Sequence, residues 1–206
     1  ALVIVGEDYG EGSSIMPERS YAFAMKAQMW LMDPRPNLTS ITEMVEWGFE
    51  LSEASNTPVF YMMRIRGCHV TGEFIAKDNL APAFNSQAPV VPQREPEKII
   101  LPPYVYEQER EKIAQRLPAA IKFIREQKLN EHFPGHYESL GIITCGGSYN
   151  TVIRALQRQG LADVYGNAEV PIYCMNVAYP LVPDELVEFC VGKEQVLVLE
   201  EGQPEY

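Results

Sequence analysis

The first apolar run of the chain, residues 2–5, is continuous and stops at Gly6, the pattern of a short strand buried on both faces of a parallel sheet. Ser20–Ala27 reads as a short helix, and residues 29–32 as a second strand stopped by Asp33-Pro34-Arg35-Pro36. Asn37 or Thr39 then caps a long amphipathic helix running to about Ser55. Ile41, Met44, Val45, Gly48 and Leu51 share one of its faces, while Glu43, Glu46, Glu50 and Glu53 lie mostly off it. Asn56-Thr57-Pro58 ends that helix, and residues 59–63 form a third strand. The order β-α-β-α-β is the repeating unit of a parallel sheet covered by helices.

The pattern changes between about Ala76 and Pro103. Pro82, Pro89, Pro92, Pro96, Pro102 and Pro103 punctuate a stretch with little periodicity, which reads as a linker or extended strap. A helical region follows over residues 104–128, with Ile113, Leu117, Ile121 and Ile124 on one face and Pro118 expected to interrupt or kink it. A second α/β unit then begins. Residues 140–144 read as a strand, Cys145-Gly146-Gly147-Ser148 as a tight turn, and residues 149–159 as a helix ended at Gly160. Residues 171–176 form another apolar strand, residues 183–191 a short helix, and Gln195–Leu199 a last strand running into Glu200-Glu201-Gly202. The fold class expected is therefore α/β, two small three-layer units with parallel sheets joined by a Pro-rich strap.

Composition narrows the function. Of the 206 residues, 17 are basic and 28 acidic, a formal charge of −11. So acidic a surface argues against a nucleic-acid or anionic-membrane partner, because no basic stripe neutralises phosphates. No apolar run approaches the roughly 20 residues that span a bilayer, and no signal-peptide pattern opens the chain. Cys68, Cys145, Cys174 and Cys190 form no CxxC pair, which fits reduced thiols in a cytoplasmic protein. The chain opens without Met and already inside a strand, so a preceding segment is expected to be absent from it.

The candidate chemistry gathers at strand ends, where parallel α/β sheets hold their ligands. The opening strand runs into GEDYGEGSSIMPER, whose glycines lack dinucleotide spacing and which holds neither a phosphate-cradling GK[ST] nor a GxSxG elbow. Arg19 stands out there: its guanidinium fork suits a substrate carboxylate, or else pairs with Glu7, Asp8 or Glu11. Arg64, Arg66 and His69, in RIRGCHVTG, end the third strand. Spaced i and i+2, the two arginines are expected on one face, to meet an anion or the abundant carboxylates. His132 and His136, in HFPGH, have metal-like spacing but lie in a Pro-Gly loop without supporting cysteines. The CGGS turn either aims helix N-terminal amides outward at an anion, with Cys145 activated, or serves chain reversal and close packing.

Taken together, GEDYGEGSS…ERS, ELSEASNTPVF…RIRGCHVTG, GIITCGGSYNTVIRALQ, YPLVPDELVEFC and VLVLEEGQPEY closely resemble the large subunit of indolepyruvate ferredoxin oxidoreductases, among the thiamine-diphosphate-dependent 2-oxoacid:ferredoxin oxidoreductases. The resemblance implies that residues 1–80 are the later part of a pyrimidine-binding domain, 81–138 a linker and helical strap, and 139–206 a domain like the C-terminal domain of transketolase. It implies oxidative decarboxylation of an arylpyruvate to an acyl-CoA by the whole enzyme. Thiamine diphosphate with Mg and iron–sulfur clusters are the cofactors implied, and a small subunit, ferredoxin, the 2-oxoacid and CoA the partners, in a dimer. Arg19 matches the position that binds the 2-oxoacid carboxylate. Asp8, Ser13 and Ser14 match the loop approaching the cofactor, and Arg66 and His69 a pair at the next strand end.

The glutamate that activates the cofactor, the diphosphate- and Mg-binding domain and the iron–sulfur segments have no counterpart in this chain. It therefore carries no catalytic or metal-ligating residue under the resemblance, and is expected to be inactive alone. A few pyrimidine contacts worth about 4 kcal/mol correspond to only millimolar cofactor binding. The alternative reading is a stand-alone, non-catalytic α/β binding or interaction module. A stand-alone dehydrogenase is weak, because no dinucleotide fingerprint exists.

Overall fold

The structure is a computed structural model that describes residues 1–9, 19–80 and 95–201. Its first sheet is built from β1 (Leu2–Glu7), β2 (Trp30–Met32) and β3 (Val59–Arg64), all parallel, with helix α1 (Ser20–Ala27) joining the first two and α2 (Leu38–Ser55) the last two. Asn37 caps α2, its side chain accepting from the Ser40 amide at 2.9 Å, as its position before the periodic run predicts. One helical turn, α3 (Ile65–Cys68), leaves β3 directly.

After the strap come α4 (Tyr104–Glu111), one π-helical turn over Lys112–Arg116, and α5 (Leu117–Glu126). Pro118 lies just past the π turn, inside a helical stretch continuous from α4 to α5. The expected interruption is this π turn just before the proline, which relaxes the backbone where the ring would crowd the preceding carbonyls.

The second sheet holds β4 (Glu131–Phe133), β5 (Leu140–Cys145), β6 (Ile172–Met175) and β8 (Gln195–Leu199) in the order β4-β6-β5-β8. β5, β6 and β8 are parallel, and β4 is antiparallel on the edge. Helix α6 (Tyr149–Arg158) follows β5, and α7 (Pro183–Cys190) precedes β8.

Two strands depart from the expected pattern. The segment containing His132 is strand β4, not loop. The apolar run after Pro171 does not end at Asn176 but resumes as β7 (Val177–Tyr179), which leaves the second sheet and pairs antiparallel with β2. The first sheet thus reads β1-β3-β2-β7.

Asn176 makes the crossing between sheets. Fully buried, it accepts from the Arg35 amide at 2.9 Å and donates to Leu129 O and Glu131 Oε2, both at 2.9 Å.

The core is continuous across the two sheets. α2 and α5 bury Leu51, Ala120 and Ile124 against Trp30, Tyr61 and Val177 on one face of the first sheet. Its other face, through Leu31 and Met62, shares a cluster with Ile143, Tyr173 and Met175 of the second. α6 covers the far side of that second sheet with Val152, Ile153 and Leu156. The result sets the carboxyl ends of the parallel strands of one sheet against those of the other.

Candidate functional site at the strand ends

Each parallel strand delivers a polar group to this junction. β1 ends in Glu7, which is 1% exposed; its carboxylate accepts from the Ser20 amide at 2.7 Å and the Arg19 amide at 3.3 Å. α1 has no side-chain cap of its own, so Glu7 supplies one, placing negative charge at the positive end of the helix. The same contact steadies Arg19 in left-handed backbone (φ 58°), a conformation uncommon for a residue with a side chain. The Arg19 side chain is exposed, and Asp8, next to Glu7 in the chain, is half-buried. Ser13 and Ser14 lie outside the described residues.

β2 runs into Asp33 and β3 ends in Arg64, 1% and 7% exposed. Arg64 Nη2 meets Asp33 Oδ2 at 2.5 Å and Nε reaches both carboxylate oxygens at 3.1 Å. Burial pushes the Asp33 carboxyl up, against the pull of Arg64 and of the Gly147 amide bonded to it. Burial alone would lower Arg64, but Asp33's charge and hydrogen bonds win and hold it firmly protonated. The guanidinium also stacks over the Tyr9 ring at 4.9 Å.

From the second sheet, β5 contributes the turn Gly146-Gly147-Ser148, all three buried. A Cβ on Gly146 would lie 2.2 Å from Asp33 O, and one on Gly147 2.3 Å from Arg64 Nε. Of the two readings of this turn the structure bears out close packing: the glycines are there for close approach, and the Gly147 amide meets the chain's own Asp33. Cys145 is buried beneath it.

β8 contributes Glu201, whose carboxylate takes Arg64 Nη1 at 2.7 Å, and Arg66 Nη2 and Nη1 at 2.5 and 3.2 Å. Arg66 Nη1 also donates to Thr151 Oγ1 at 2.9 Å. Arg64 and Arg66 do not share a strand face as their i, i+2 spacing predicts, because β3 has already turned into α3 at Ile65; they converge on Glu201 instead. His69 ends that turn and is exposed.

The two other histidines separate: His132 packs edge-on against Phe189, and His136 Nδ1 meets Glu169 Oε2 at 2.6 Å. Asp33 and Glu201 are the site residues that sequence reasoning missed, while Glu7 holds the Arg19 backbone amide and Ser148 lies in the turn already singled out. The legible signal was positional, a charged residue within two positions of the end of an apolar strand.

The fold matches that of a 2-oxoglutarate:ferredoxin oxidoreductase from Magnetococcus marinus, solved with 2-oxoglutarate, coenzyme A and succinyl-CoA bound, with a TM-score of 0.57 at 15% identity over 96% of this chain and 40% of that one. In sequence the chain is similar to indolepyruvate oxidoreductase subunit IorA of Methanothermobacter marburgensis, 28% identical over 97% of the chain, and to that of Methanothermobacter thermautotrophicus, 26% identical over 98%. The resemblance carried by the sequence motifs thus recurs along the whole chain. No protein-family model matches it. The chain spans 31% of the length of these two relatives.

The described residues do not themselves fit thiamine diphosphate with Mg. They contain no group of three or more His, Cys, Asp or Glu side chains placed to hold a metal ion. The arginines best placed for an anion are engaged with Asp33 and Glu201.

Proposed function

We propose that the chain is a segment of an enzyme that oxidatively decarboxylates arylpyruvates, indolepyruvate among them, to acyl-CoA with ferredoxin as electron acceptor. Similarity to subunit IorA over 97% of the chain is the observation that carries this reading. Thiamine diphosphate with Mg, and iron–sulfur clusters, belong to the whole enzyme in this proposal, together with a small subunit and a dimeric arrangement. Residues 1–80 serve as the later part of its pyrimidine-binding domain, 81–138 as linker and strap, and 139–206 as the transketolase C-terminal-like domain. Within the segment, Arg19 is the proposed anchor for the 2-oxoacid carboxylate, with Asp8, Ser13 and Ser14 on the cofactor side of the same loop. Arg66 and His69 form the proposed anion-binding edge.

The test is to extend the reading frame both ways, express the complete polypeptide with its small subunit, and measure indolepyruvate-dependent ferredoxin reduction. An upstream glutamate-bearing strand, downstream CxxC clusters and CoA-dependent reduction are expected. Start and stop codons tightly flanking the chain would overturn the proposal.

A further inference from the structure

We infer that Arg64, Arg66 and Ser148 form a carboxylate-binding cradle which Glu201 fills as an exchangeable internal ligand. Four donors converge on that one carboxylate: Arg64 Nη1, both terminal nitrogens of Arg66, and Ser148 Oγ at 3.5 Å. A planar guanidinium fork set around a carboxylate is the geometry that recognises carboxylate ligands in general. The cradle lies at the carboxyl ends of β3, β5 and β8, where parallel α/β sheets bind ligands.

The two carboxylates on Arg64 are not equivalent. Asp33 is 1% exposed and backed by the Gly147 amide, so it is fixed. Glu201 is 23% exposed and sits two residues past the end of β8, so its side chain can swing to water without disturbing a strand. Charge decides what replaces it. Arg64, Arg66, Asp33 and Glu201 sum to zero; withdrawing Glu201 leaves one positive charge in a partly desolvated setting. The vacancy therefore selects a monoanion, and the fork selects a carboxylate. An incoming carboxylate exchanges one anion for another and leaves the guanidinium groups paired throughout.

The inference does not depend on the proposed enzyme activity, and its test needs no turnover. Benzoate is titrated calorimetrically at low ionic strength into the 206-residue chain, its Glu201→Ala variant and the Glu201→Ala/Arg66→Gln double variant. Because an internal competitor reduces apparent affinity by the fraction of time it occupies the site, Glu201→Ala is expected to bind at least about tenfold more tightly than the parent, and the double variant to lose that gain. Equal affinity in parent and Glu201→Ala, or tight binding that survives Arg66→Gln, overturns the inference, as does sulfate binding more tightly than benzoate. A second measurement uses the unmodified chain. Benzoate should shift the side-chain carboxylate carbon resonance of Glu201 as that group leaves its arginines; an unchanged resonance counts against the cradle.

Discussion

Arg64 is charged, buried and shared between two carboxylates that come from opposite ends of the chain. Taking charges out of water is costly, and only a fully paired arrangement repays it. Arg64→Ala leaves Asp33 buried without its counter-ion, so urea denaturation should show a loss of about 3–5 kcal/mol. Replacing both partners, Asp33→Asn with Arg64→Met, should cost less than the single change; a larger cost for the double variant would show that the pair is not the source of the effect. Arg19 belongs to a different category, because its side chain is exposed and only its backbone is held. In the complete enzyme, Arg19→Ala should raise the arylpyruvate KM and spare cofactor affinity, at about 1.5–3 kcal/mol in kcat/KM for a lost charge-assisted contact. Unchanged kinetics would reduce Arg19 to a structural residue of the loop.

At the scale of elements, the crossing from β6 to β7 carries the most. Asn176 spends its side-chain oxygen and amide on Arg35, Leu129 and Glu131, and its carbonyl on the Asp33 amide at 2.8 Å. Asn176→Ala orphans several buried groups at once and should cost about 2–4 kcal/mol, with calorimetry showing the unfolding transition broadened as the sheets uncouple. Next to it, Arg35 grips Glu131 through Nε at 2.5 Å and Nη2 at 2.7 Å. Burial would raise the Glu131 carboxyl, but hydrogen bonds from Arg35 and Asn176, with Arg35's charge, hold it below its ordinary value. A depressed carboxyl contributes stability above the unfolded value of 4.5 and loses it as pH falls through the lowered one. Glu131→Gln should therefore flatten the acid limb of a stability–pH profile; an unaltered acid limb would contradict the assignment.

The long periodic elements were legible in the sequence. α2 appears where its amphipathic pattern and Asn37 place it, and the strands read from apolar runs fall within a residue or two of expectation. But β1, expected to be buried on both faces, is an edge strand with Val3 and Ile4 exposed. Three-residue strands such as β4 and β7 are too short for a period to declare itself, and their pairing is decided by tertiary contacts. The strand-end position of the site was legible too, but not its wiring. Arg64 and Glu201 lie 137 residues apart, and nothing local in RIRGCHVTG or VLVLEEG says that they meet.

On the scale of the whole molecule, two of the four edge strands among the described residues carry exposed apolar side chains. β1 borders the first sheet with Val3 and Ile4 exposed, and β8 borders the second with Leu197 and Val198 exposed. Unpaired edges with apolar side chains are templates for further strand pairing or docking. Sedimentation velocity should show mass rising with concentration, and Ile4→Lys should suppress it; a strictly monomeric parent chain would refute this.

The passage of β7 into the first sheet also governs the order of events during synthesis. β1, β2 and β3 are made before β7, and the neighbour that covers β2 is not made until residue 179 has left the ribosome. Sheet completion must wait for more than a hundred residues of chain, a closure with a high entropic threshold and a slow rate. Until then the chain presents β2 as a bare edge, open to non-native strand pairing.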